Sequence, residues 1–306
     1  MNPTSVRALK TGIISNSPMV LMEFATQLKT KFKKLSAAGK TIKLIVLPQN
    51  LKTGKLVGMS NILVIGDSCK DIHIYGKCER LCPEAPVPVF SPSYETQNLG
   101  MAGNVYQNII SLGLPATLKT NSVFIEKKRF VEEQTNHMFL RVDSGEQSVD
   151  RITGLTSDLL NSFKMVIISD YNKGFLLEED IKFICENHNC VFIDTKKFLG
   201  DYCKESTYIK INKYEYNNSL RYIEENNWTH SKIIQTLGEK GCKLGDTLYP
   251  VEKVEIKDLC GAGDTFMASL CVHYLRTKDI DQSIKYANLC ATKVVQKKGV
   301  NTINEF

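Results

Sequence analysis

The sequence lacks any run of apolar residues long enough to cross a membrane. It has one tryptophan among 306 residues, with 42% hydrophobic and 24% charged residues, which is typical of a globular chain with a substantial core. The N-terminus also lacks the apolar stretch of a signal peptide, because Arg7 and Lys10 are followed by a short mixed segment. We therefore expect a cytoplasmic protein with no membrane partner.

The ten cysteines include no C-x-x-C pair. Cysteine-rich zinc sites usually need two closely spaced pairs, and Cys78 with Cys82 has no matching second pair. We interpret the cysteines as reduced thiols of a cytosolic protein, and not as disulfides or zinc ligands.

Acidic residues are almost missing from the first 58 residues. This segment has ten Lys/Arg against the single acid Glu23, whereas residues 59–306 have 29 Lys/Arg against 32 Asp/Glu. Four of its lysines are closely spaced: Lys29, Lys31, Lys33 and Lys34. Apolar residues recur at helical spacing through the same stretch: Leu21, Ala25, Leu28, Phe32 and Leu35. We interpret the lysines as the solvated face of an amphipathic helix and expect no nucleic-acid partner, although a basic nucleic-acid-binding module stays open as an alternative.

The change in charge divides the chain into a basic N-terminal extension, residues 1–58, and a second region, residues 59–306. In the extension, a helix that begins at Ser17 and ends at Gly39 is followed by a strand over Thr41–Leu47. In the second region, apolar strand patterns alternate with helical patterns. This alternation predicts an α/β fold with a mostly parallel central sheet, helices on both faces and ligands at the carboxyl ends of the strands.

A glycine-rich turn at residues 258–264 carries the strongest functional signal. Gly261, Ala262 and Gly263 precede Asp264 at the predicted start of an apolar helix. The first N–H groups of a helix have no intrahelical partner and favour an anion. A carboxylate beside that anion can take the proton from an attacking hydroxyl, although an ordinary N-cap is the alternative for the motif alone.

The run Asp258-Leu259-Cys260-Gly261-Ala262-Gly263-Asp264 resembles the D-x-x-G-A-G-D of the ribokinase-like sugar kinases, also called phosphofructokinase-B type. The stretch at residues 82–89, Cys-Pro-Glu-Ala-Pro-Val-Pro-Val, is similar to the S-P-E-A-P-V-P-V of one subgroup, the D-glycero-beta-D-manno-heptose-7-phosphate kinases. Residues 169–174 and 194–196 are similar to that subgroup's S-D-Y-x-K-G and D-P-K segments, in the same order. The resemblance extends from about Ser60 to the C-terminus and implies a ribokinase-like fold with a small β flap.

The resemblance also implies roles in sugar binding. Asp264 would be the catalytic base, with an anion hole at Gly261, Ala262 and Gly263. The sugar would be held by Asp71 and by an element corresponding to G-G-x-x-N, in which Gly100 and Asn104 are matched and Met101 replaces the second glycine. Arg80, in the region specific to the heptose kinases, could contact a phosphate through two parallel hydrogen bonds.

Further segments resemble the nucleotide site of the same family, and they imply ATP and Mg²⁺ as cofactors. Asn212 and Glu215 match an N-x-x-E element that organises Mg²⁺, often through water. Residues 236–241 resemble the T-x-G-x-x-G loop under the ATP phosphates. Its matched residues are Thr236, Gly238 and Gly241. Lys196 could pair with a phosphate and Asn288 could line the adenine pocket, whereas a solvated lysine and an ordinary helix asparagine are the alternatives.

Two departures from the family pattern give further expectations. Cys260 replaces a threonine beside the anion hole, and its thiol is the weaker hydrogen bonder. Only about ten residues separate the helix predicted over residues 102–112 from the next predicted strand at Val123, where relatives have a further strand-helix-strand unit. We expect this gap to leave a hole in the sheet, and we hypothesise that residues 12–47 fold into it.

The sequence as a whole predicts an ATP- and Mg²⁺-dependent sugar kinase. The subgroup resemblance implies the anomeric hydroxyl of a heptose 7-phosphate as the acceptor, and a possible homodimer through the β flap. A catalytically silent sugar- or nucleotide-binding regulator, or a kinase for another carbohydrate, is the alternative, suggested by Met101, Cys260 and the gap. The H-x-G-H of an adenylyltransferase that is fused to some relatives does not occur in this sequence.

Overall fold

A computed structural model describes residues 61–123, 125–226, 232–297 and 299–303. The helix and strand predicted between Ser17 and Leu47, and the proposed fit of this segment into the sheet, lie outside the described residues. Within the described residues, no helix combines the length and apolarity that a membrane span requires.

The described strands form two sheets, and the larger has eight strands in the order β12-β11-β10-β9-β8-β7-β1-β4. Its strands are β1 (Ile62–Gly66), β4 (Ala116–Lys119), β7 (Met165–Asp170), β8 (Val191–Thr195), β9 (Tyr208–Asn212), β10 (Ile233–Thr236), β11 (Cys242–Leu244) and β12 (Thr247–Tyr249). The pairs from β4 to β10 are parallel, and β11 and β12 add an antiparallel edge. This confirms the predicted mostly parallel sheet.

β4 corrects the expected hole in the sheet. Residues 116–119 lie in the interval that the sequence analysis left without a strand, and they pair in parallel with β1 from Ile62↔Ala116 to Ile65↔Lys119. The described sheet is therefore continuous up to β4, where it ends. The four-residue segment Ala-Thr-Leu-Lys is too short, and too exposed on its outer side, to produce a recognisable alternation of apolar residues.

Helices cover both faces of the sheet because the two sides of each central strand are apolar. Ile62 and Val64 of β1 belong to one buried cluster, and Leu63 and Ile65 belong to the other. The helices are α1 (Ala102–Ser111), α2 (Ser157–Asn161), α3 (Glu178–Asn187), α4 (Lys213–Glu225), α5 (Ala262–Thr277) and α6 (Ile280–Val294). The first cluster contains buried residues of α1, α5 and α6, whereas the second contains those of α2, α3 and α4.

The second sheet is a four-stranded flap in the order β3-β2-β5-β6. Its strands are β2 (Ser68–Leu81), β3 (Pro88–Met101), β5 (Ile125–Glu132) and β6 (Met138–Ser144). β2 and β3 form a long antiparallel hairpin, and each joins the main body at its inner end, where β2 follows β1 and β3 precedes α1. The resemblance implied a small β flap but not its extent, because the polar inner ends of β2 and β3 lack apolar alternation.

Candidate active site

The glycine-rich turn lies at the N-terminus of α5, as predicted. The Asp258 carboxylate fixes the turn, since one oxygen accepts a hydrogen bond from the Cys260 N–H at 2.8 Å and the other from the Gly299 N–H at 3.0 Å. Gly261 is the N-cap residue and has φ 78°, a left-handed conformation that glycine adopts without strain. The turn therefore brings together Gly261, Ala262, Gly263 and Asp264, although the Ala262 N–H also contacts the Leu259 carbonyl at 3.3 Å.

Asp264 is a buried carboxylate with a neutral donor on each oxygen. The Tyr171 hydroxyl donates to Oδ1 at 2.6 Å, and the Asn104 Nδ2 donates to Oδ2 at 3.0 Å. Burial raises the pKa of Asp264 to about 6, although both hydrogen bonds act to lower it. At neutral pH the group is thus ionised but more basic than an ordinary aspartate, which suits a general base.

Asn104 reaches Asp264 from the first turn of α1. Its side chain also accepts a hydrogen bond from Asn108, and it passes so close to Gly261 that a Cβ on this glycine would lie 2.6 Å from Asn104 Nδ2. Met101 precedes the helix with φ 60° and ψ −132°, a conformation that is costly for any residue with a Cβ. Met101 thus adopts a conformation that favours glycine, and Asn104 still contacts Asp264.

Asp71 lies on β2, on the flap side of the site. Its carboxylate forms an ion pair with Arg129 of β5, and a Cβ on Gly100 would lie 2.2 Å from Asp71 Oδ2. The predicted sugar-binding residues Asp71 and Gly100 are thus in contact. Sequence analysis missed Arg129, because its pairing with Asp71 depends on the parallel register of β2 and β5.

Arg80 was also predicted to bind the substrate, but within one chain it does not lie near Asp71, Gly100 and Asn104. It is exposed near the outer end of β2, nine residues beyond Asp71. At the rise of a β-strand this separation is about 30 Å. No described contact holds its guanidinium.

Tyr171 contacts the catalytic candidate Asp264, although the resemblance of residues 169–174 to S-D-Y-x-K-G predicted no role for it. Asp67, at the end of β1, accepts hydrogen bonds from the Tyr171 N–H at 2.8 Å and the Phe175 N–H at 3.3 Å, and this fixes the loop after β7. Burial, with a further contribution from the Asp264 charge, holds the pKa of Tyr171 well above its usual range. The hydroxyl therefore stays protonated and can donate to Asp264.

A cavity of about 320 Å³ opens beside the glycine-rich turn. Its lining includes four of the predicted nucleotide residues: Thr236, Gly238, Gly241 and Asn288. Gly241 has φ 85°, and a Cβ there would overlap the Tyr249 carbonyl, which itself accepts a hydrogen bond from Asn288 at 2.9 Å. Apolar side chains from Ile256, Phe266 and Val295 complete a lining that suits the faces of a planar base.

Asn212 is the last residue of β9, opposite Thr236, and caps α4, in which Glu215 is the third residue. They form a reciprocal cap, in which the Glu215 N–H donates to Asn212 Oδ1 at 2.9 Å and the Asn212 N–H donates to Glu215 Oε2 at 2.8 Å. Lys196 Nζ contacts Glu215 Oε1 at 2.5 Å. Although burial opposes it, the carboxylates of Asp194 and Glu215 raise the pKa of Lys196, which is therefore a fixed cation.

The described residues contain no cluster of three or more side chains with metal-ligating groups. Both Glu215 oxygens already accept hydrogen bonds, so this glutamate suits a Mg²⁺ ion that keeps its water shell and is bound mainly by phosphates. The residues thus fit a magnesium ion that enters with a nucleotide.

Lys210 is a buried cation that sequence analysis missed. Its Nζ pairs with Asp194 Oδ2 at 2.6 Å and lies 3.1 Å from the position that a Cβ on Gly263 would occupy. Burial would raise the pKa of Asp194, but Lys210 and Lys196 together lower it. Positive charge therefore lies directly against the predicted anion hole, in a position that only the packing of β9 against the turn defines.

Comparison with solved structures shows the ribokinase-like fold. Ribokinase from Thermotoga maritima superimposes with a TM-score of 0.59 at 14% identity, over 78% of this chain and 94% of the other. Phosphofructokinase-2 from Escherichia coli gives a TM-score of 0.60 at 12% identity, over 80% and 96%.

Curated relatives share more of the sequence. The bifunctional protein HldE of Campylobacter curvus is 32% identical over 300 residues, and that of Nitratiruptor sp. is 29% identical over 290 residues. Each comparison covers 79% of this chain, which spans 63% and 62% of the length of these two relatives. Residues 119–306 match the pfkB family of carbohydrate kinases. This match covers more than half of the sequence and confirms the predicted family: the chain belongs to the pfkB family of carbohydrate kinases.

Proposed function

We propose that this protein transfers the γ-phosphoryl group of ATP to a hydroxyl of a sugar phosphate. The observation that carries the proposal is the position of Asp264. It is a buried carboxylate in the first turn of α5, where Ala262 and Gly263 line the nucleotide-sized cavity, and it accepts a hydrogen bond from the predicted sugar-binding residue Asn104. A base placed between a nucleotide cavity and a polar acceptor site is the arrangement that phosphoryl transfer requires.

In the proposed step, the sugar hydroxyl displaces one of the donors to Asp264 and gives its proton to the carboxylate. The hydroxyl oxygen forms a bond to the γ-phosphorus while the bond from that phosphorus to the β–γ bridging oxygen breaks, so that ADP leaves with the bond's electron pair. The pKa of Asp264, raised by burial to about 6, leaves the group unprotonated at neutral pH and basic enough to accept the proton.

The N-terminus of α5 would stabilise the charge on the transferred group. The first N–H groups of a helix have no intrahelical acceptor, so those at Gly261, Ala262 and Gly263 would bind the phosphoryl oxygens, and Lys210 adds a positive charge against the same turn. When bound with ATP, Mg²⁺ supplies further charge neutralisation. Asn212 and Glu215 would hold it through water, and Lys196 would pair with a phosphate.

The acceptor that we propose is the anomeric hydroxyl of a heptose 7-phosphate. Support comes from the block at residues 82–89 and from the segments at 169–174 and 194–196, which resemble the heptose kinases. In the structure these last two segments lie together at the carboxyl ends of β7 and β8, where Tyr171 contacts Asp264 and Lys196 contacts Glu215. Two of the three segments that resemble the subgroup thus lie beside the proposed reacting groups, which supports the proposal.

An acceptor panel tests the function. The protein would be incubated with Mg²⁺, ATP and D-glycero-D-manno-heptose 7-phosphate, ribose, fructose 6-phosphate or adenosine, and ADP formation and the phosphorylated product would be measured. We expect the heptose phosphate to give the highest kcat/KM. Binding of sugar and ATP without turnover would instead support the regulator, and equal turnover of ribose would place the acceptor in another class.

We also propose that two copies associate through the outer face of the flap. Leu140 and Val142 alternate with Arg141 along β6, and their side chains are 55% and 42% exposed on the face opposite Arg141. Exposed apolar side chains on a sheet of this kind favour burial against a second copy. Light scattering after size exclusion should give twice the chain mass, and Leu140→Glu should reduce it to one chain mass. A monomer in the parent protein would contradict this proposal.

A further inference from the structure

One face of the flap, which we call its inner face, has three basic side chains that the proposed transfer step does not use. They are Lys127, Arg129 and Arg141. Residues that pair directly across neighbouring strands point to the same face of a sheet. The register therefore places Asp71, Lys127 and Asp143 in one row across the flap, and His73, Arg129 and Arg141 in the next row. The face has three permanent positive charges and two carboxylates, so without a ligand it has an excess of positive charge.

The first row lies against the catalytic centre. Lys127 Nζ is 6.0 Å from the centroid of the Tyr171 ring, and the hydroxyl of that ring donates to Asp264. Lys127 is only 9% exposed, and no described hydrogen-bond acceptor or carboxylate lies within bonding distance of its Nζ. An ammonium group that is held beside the catalytic centre with no described protein partner is available to an anion that binds there.

The second row is one step farther from Asp264. Two residues along a strand advance about 7 Å, a distance comparable with the length of a sugar's carbon chain. Arg129 contacts Asp71, and Arg141 Nε and Nη2 contact the two Asp143 oxygens at 2.7 Å each. These carboxylates hold both guanidinium groups in place and leave further N–H groups of each for a ligand.

His73 gives an independent sign of a missing partner in this row. The imidazole is 4% exposed, and its buried Nδ1 has no hydrogen-bond partner. Burial first, and the Arg129 charge second, lower the pKa of His73, so that it is neutral without a ligand. A buried polar atom with no partner is rare in folded proteins, and here its residue is paired across the strands with Arg129.

We propose that Lys127, Arg129, Arg141 and His73 form a subsite for a phosphate ester on the sugar, at the end remote from the hydroxyl that is phosphorylated. This subsite rests on the proposed function and deepens it, because it assigns the residues that select a phosphorylated acceptor. Arginine suits the task because its planar fork forms two parallel hydrogen bonds to phosphate oxygens. Asp71, Asn104 and Asp264 then hold the sugar hydroxyls at the other end.

The test compares one sugar with and without its phosphate. Steady-state rates with ATP and Mg²⁺ would be measured for D-glycero-D-manno-heptose 7-phosphate and for the unphosphorylated heptose. We expect Arg141→Gln and Lys127→Gln to lower kcat/KM for the phosphate ester by about 10- to 100-fold, the range for a lost hydrogen bond between charged groups. Both variants should change kcat/KM for the unphosphorylated heptose by less than about three-fold.

Lys128→Gln is the matched control. Lys128 is adjacent on β5 and has the same charge, but it points to the opposite face and pairs with Glu126 at 2.8 Å. It should leave both values of kcat/KM unchanged. Equal losses for the two sugars in Arg141→Gln and Lys127→Gln would overturn the subsite, and so would a parent protein that shows no preference for the phosphate ester.

A second measurement separates failure of the subsite from failure of the proposed function. Binding of the same two sugars to the full chain would be measured by titration calorimetry, which needs no turnover. If no sugar is phosphorylated, the proposed function fails, yet weaker binding of the phosphate ester by Arg141→Gln would still support the subsite. If the parent binds both sugars equally, or binds neither, the subsite is rejected.

Discussion

The two sheets that meet at the site contribute different chemistry. The main body, which is the eight-stranded sheet with its helices, supplies Asp264, the backbone of the glycine-rich turn and the buried pair Lys210–Asp194. The flap supplies Asp71 and a row of cations whose partners lie on neighbouring strands. The main body is thus organised around the transferred phosphoryl group, whereas the flap is organised around the acceptor. Changes in the first should affect every substrate, and changes in the second should discriminate among them.

The largest expected effect comes from Asp264→Asn, which removes the base from the main body. Loss of a general base commonly lowers kcat by about 10²- to 10⁴-fold, and here the loss should be similar for every sugar accepted. The amide keeps the size of the side chain, so ATP binding should stay near that of the parent. Turnover within a few-fold of the parent would show that Asp264 only caps the helix.

Gly261→Ala should be the next most damaging change. The new Cβ would lie 2.6 Å from Asn104 Nδ2, on a backbone with φ 78°, so it would both strain the turn and displace Asn104 from Asp264. Gly154→Ala is the control, because Gly154 has φ 69° but no atom within 4 Å of the added Cβ. Left-handed strain costs about 1–2 kcal/mol at either position. We expect both variants to lose this stability, and only Gly261→Ala to lose about 100-fold or more in kcat. Similar kinetics in the two variants would mean that the Asn104 contact is dispensable.

Asp264→Asn should also make the protein more stable at neutral pH. The pKa of Asp264 is raised from 3.8 to about 6, so the folded state binds its proton more tightly than the unfolded state does. The stability that this group contributes is complete below pH 3.8 and is lost as the pH rises to about 6. Above that pH the charged carboxylate costs up to about 3 kcal/mol, because each pKa unit corresponds to 1.36 kcal/mol. Denaturant unfolding at pH 7 and pH 4 measures the difference. An equal free energy of unfolding for parent and variant at pH 7 would contradict this pKa.

Of these variants, Tyr171→Phe should have the smallest effect on the rate. We expect its effect in the pH dependence of kcat/KM. In the parent, kcat/KM should rise as the pH passes about 6, where Asp264 loses its proton. Without the donor hydroxyl the pKa of Asp264 should rise further, because the Tyr171 hydrogen bond acts to lower it. The midpoint of the profile should therefore move to higher pH, while the rate at pH 8 stays close to that of the parent. A profile with an unchanged midpoint would show that Tyr171 does not interact with the base.

The same comparison explains what the sequence could predict. In the main body the functional groups are contiguous along the chain, so the turn at 258–264, the N-x-x-E of Asn212 and Glu215 and the loop at 236–241 were recognisable as motifs, and the structure brings them together. The alternation of strands and helices was predictable for a similar reason, because their apolar patterns are local.

What could not be predicted depends on register and packing. Arg129 meets Asp71, and Arg141 lies beside Arg129, only because β2, β5 and β6 pair as they do. Lys210 lies beside the glycine-rich turn because β9 packs against it. Residues 116–119 form β4 because they pair with β1. No local pattern distinguishes Lys127 from Lys128, although one faces the catalytic centre and the other faces away. Arg80, by contrast, was chosen for its neighbours in sequence, and it lies far along β2.

The two hydrogen-bond donors to Asp264 also affect how much ATP is hydrolysed without transfer to a sugar. A base that activates a sugar hydroxyl could equally activate water, and ATP would then be hydrolysed without product. In the sugar-free protein, Tyr171 and Asn104 each occupy an oxygen of the carboxylate, so a water molecule must compete with two well-placed donors for the base. A sugar bound by several hydroxyls can win that competition, whereas a single water cannot do so as readily. We expect slow futile hydrolysis of ATP in the absence of sugar, and faster futile hydrolysis, relative to transfer, in Tyr171→Phe.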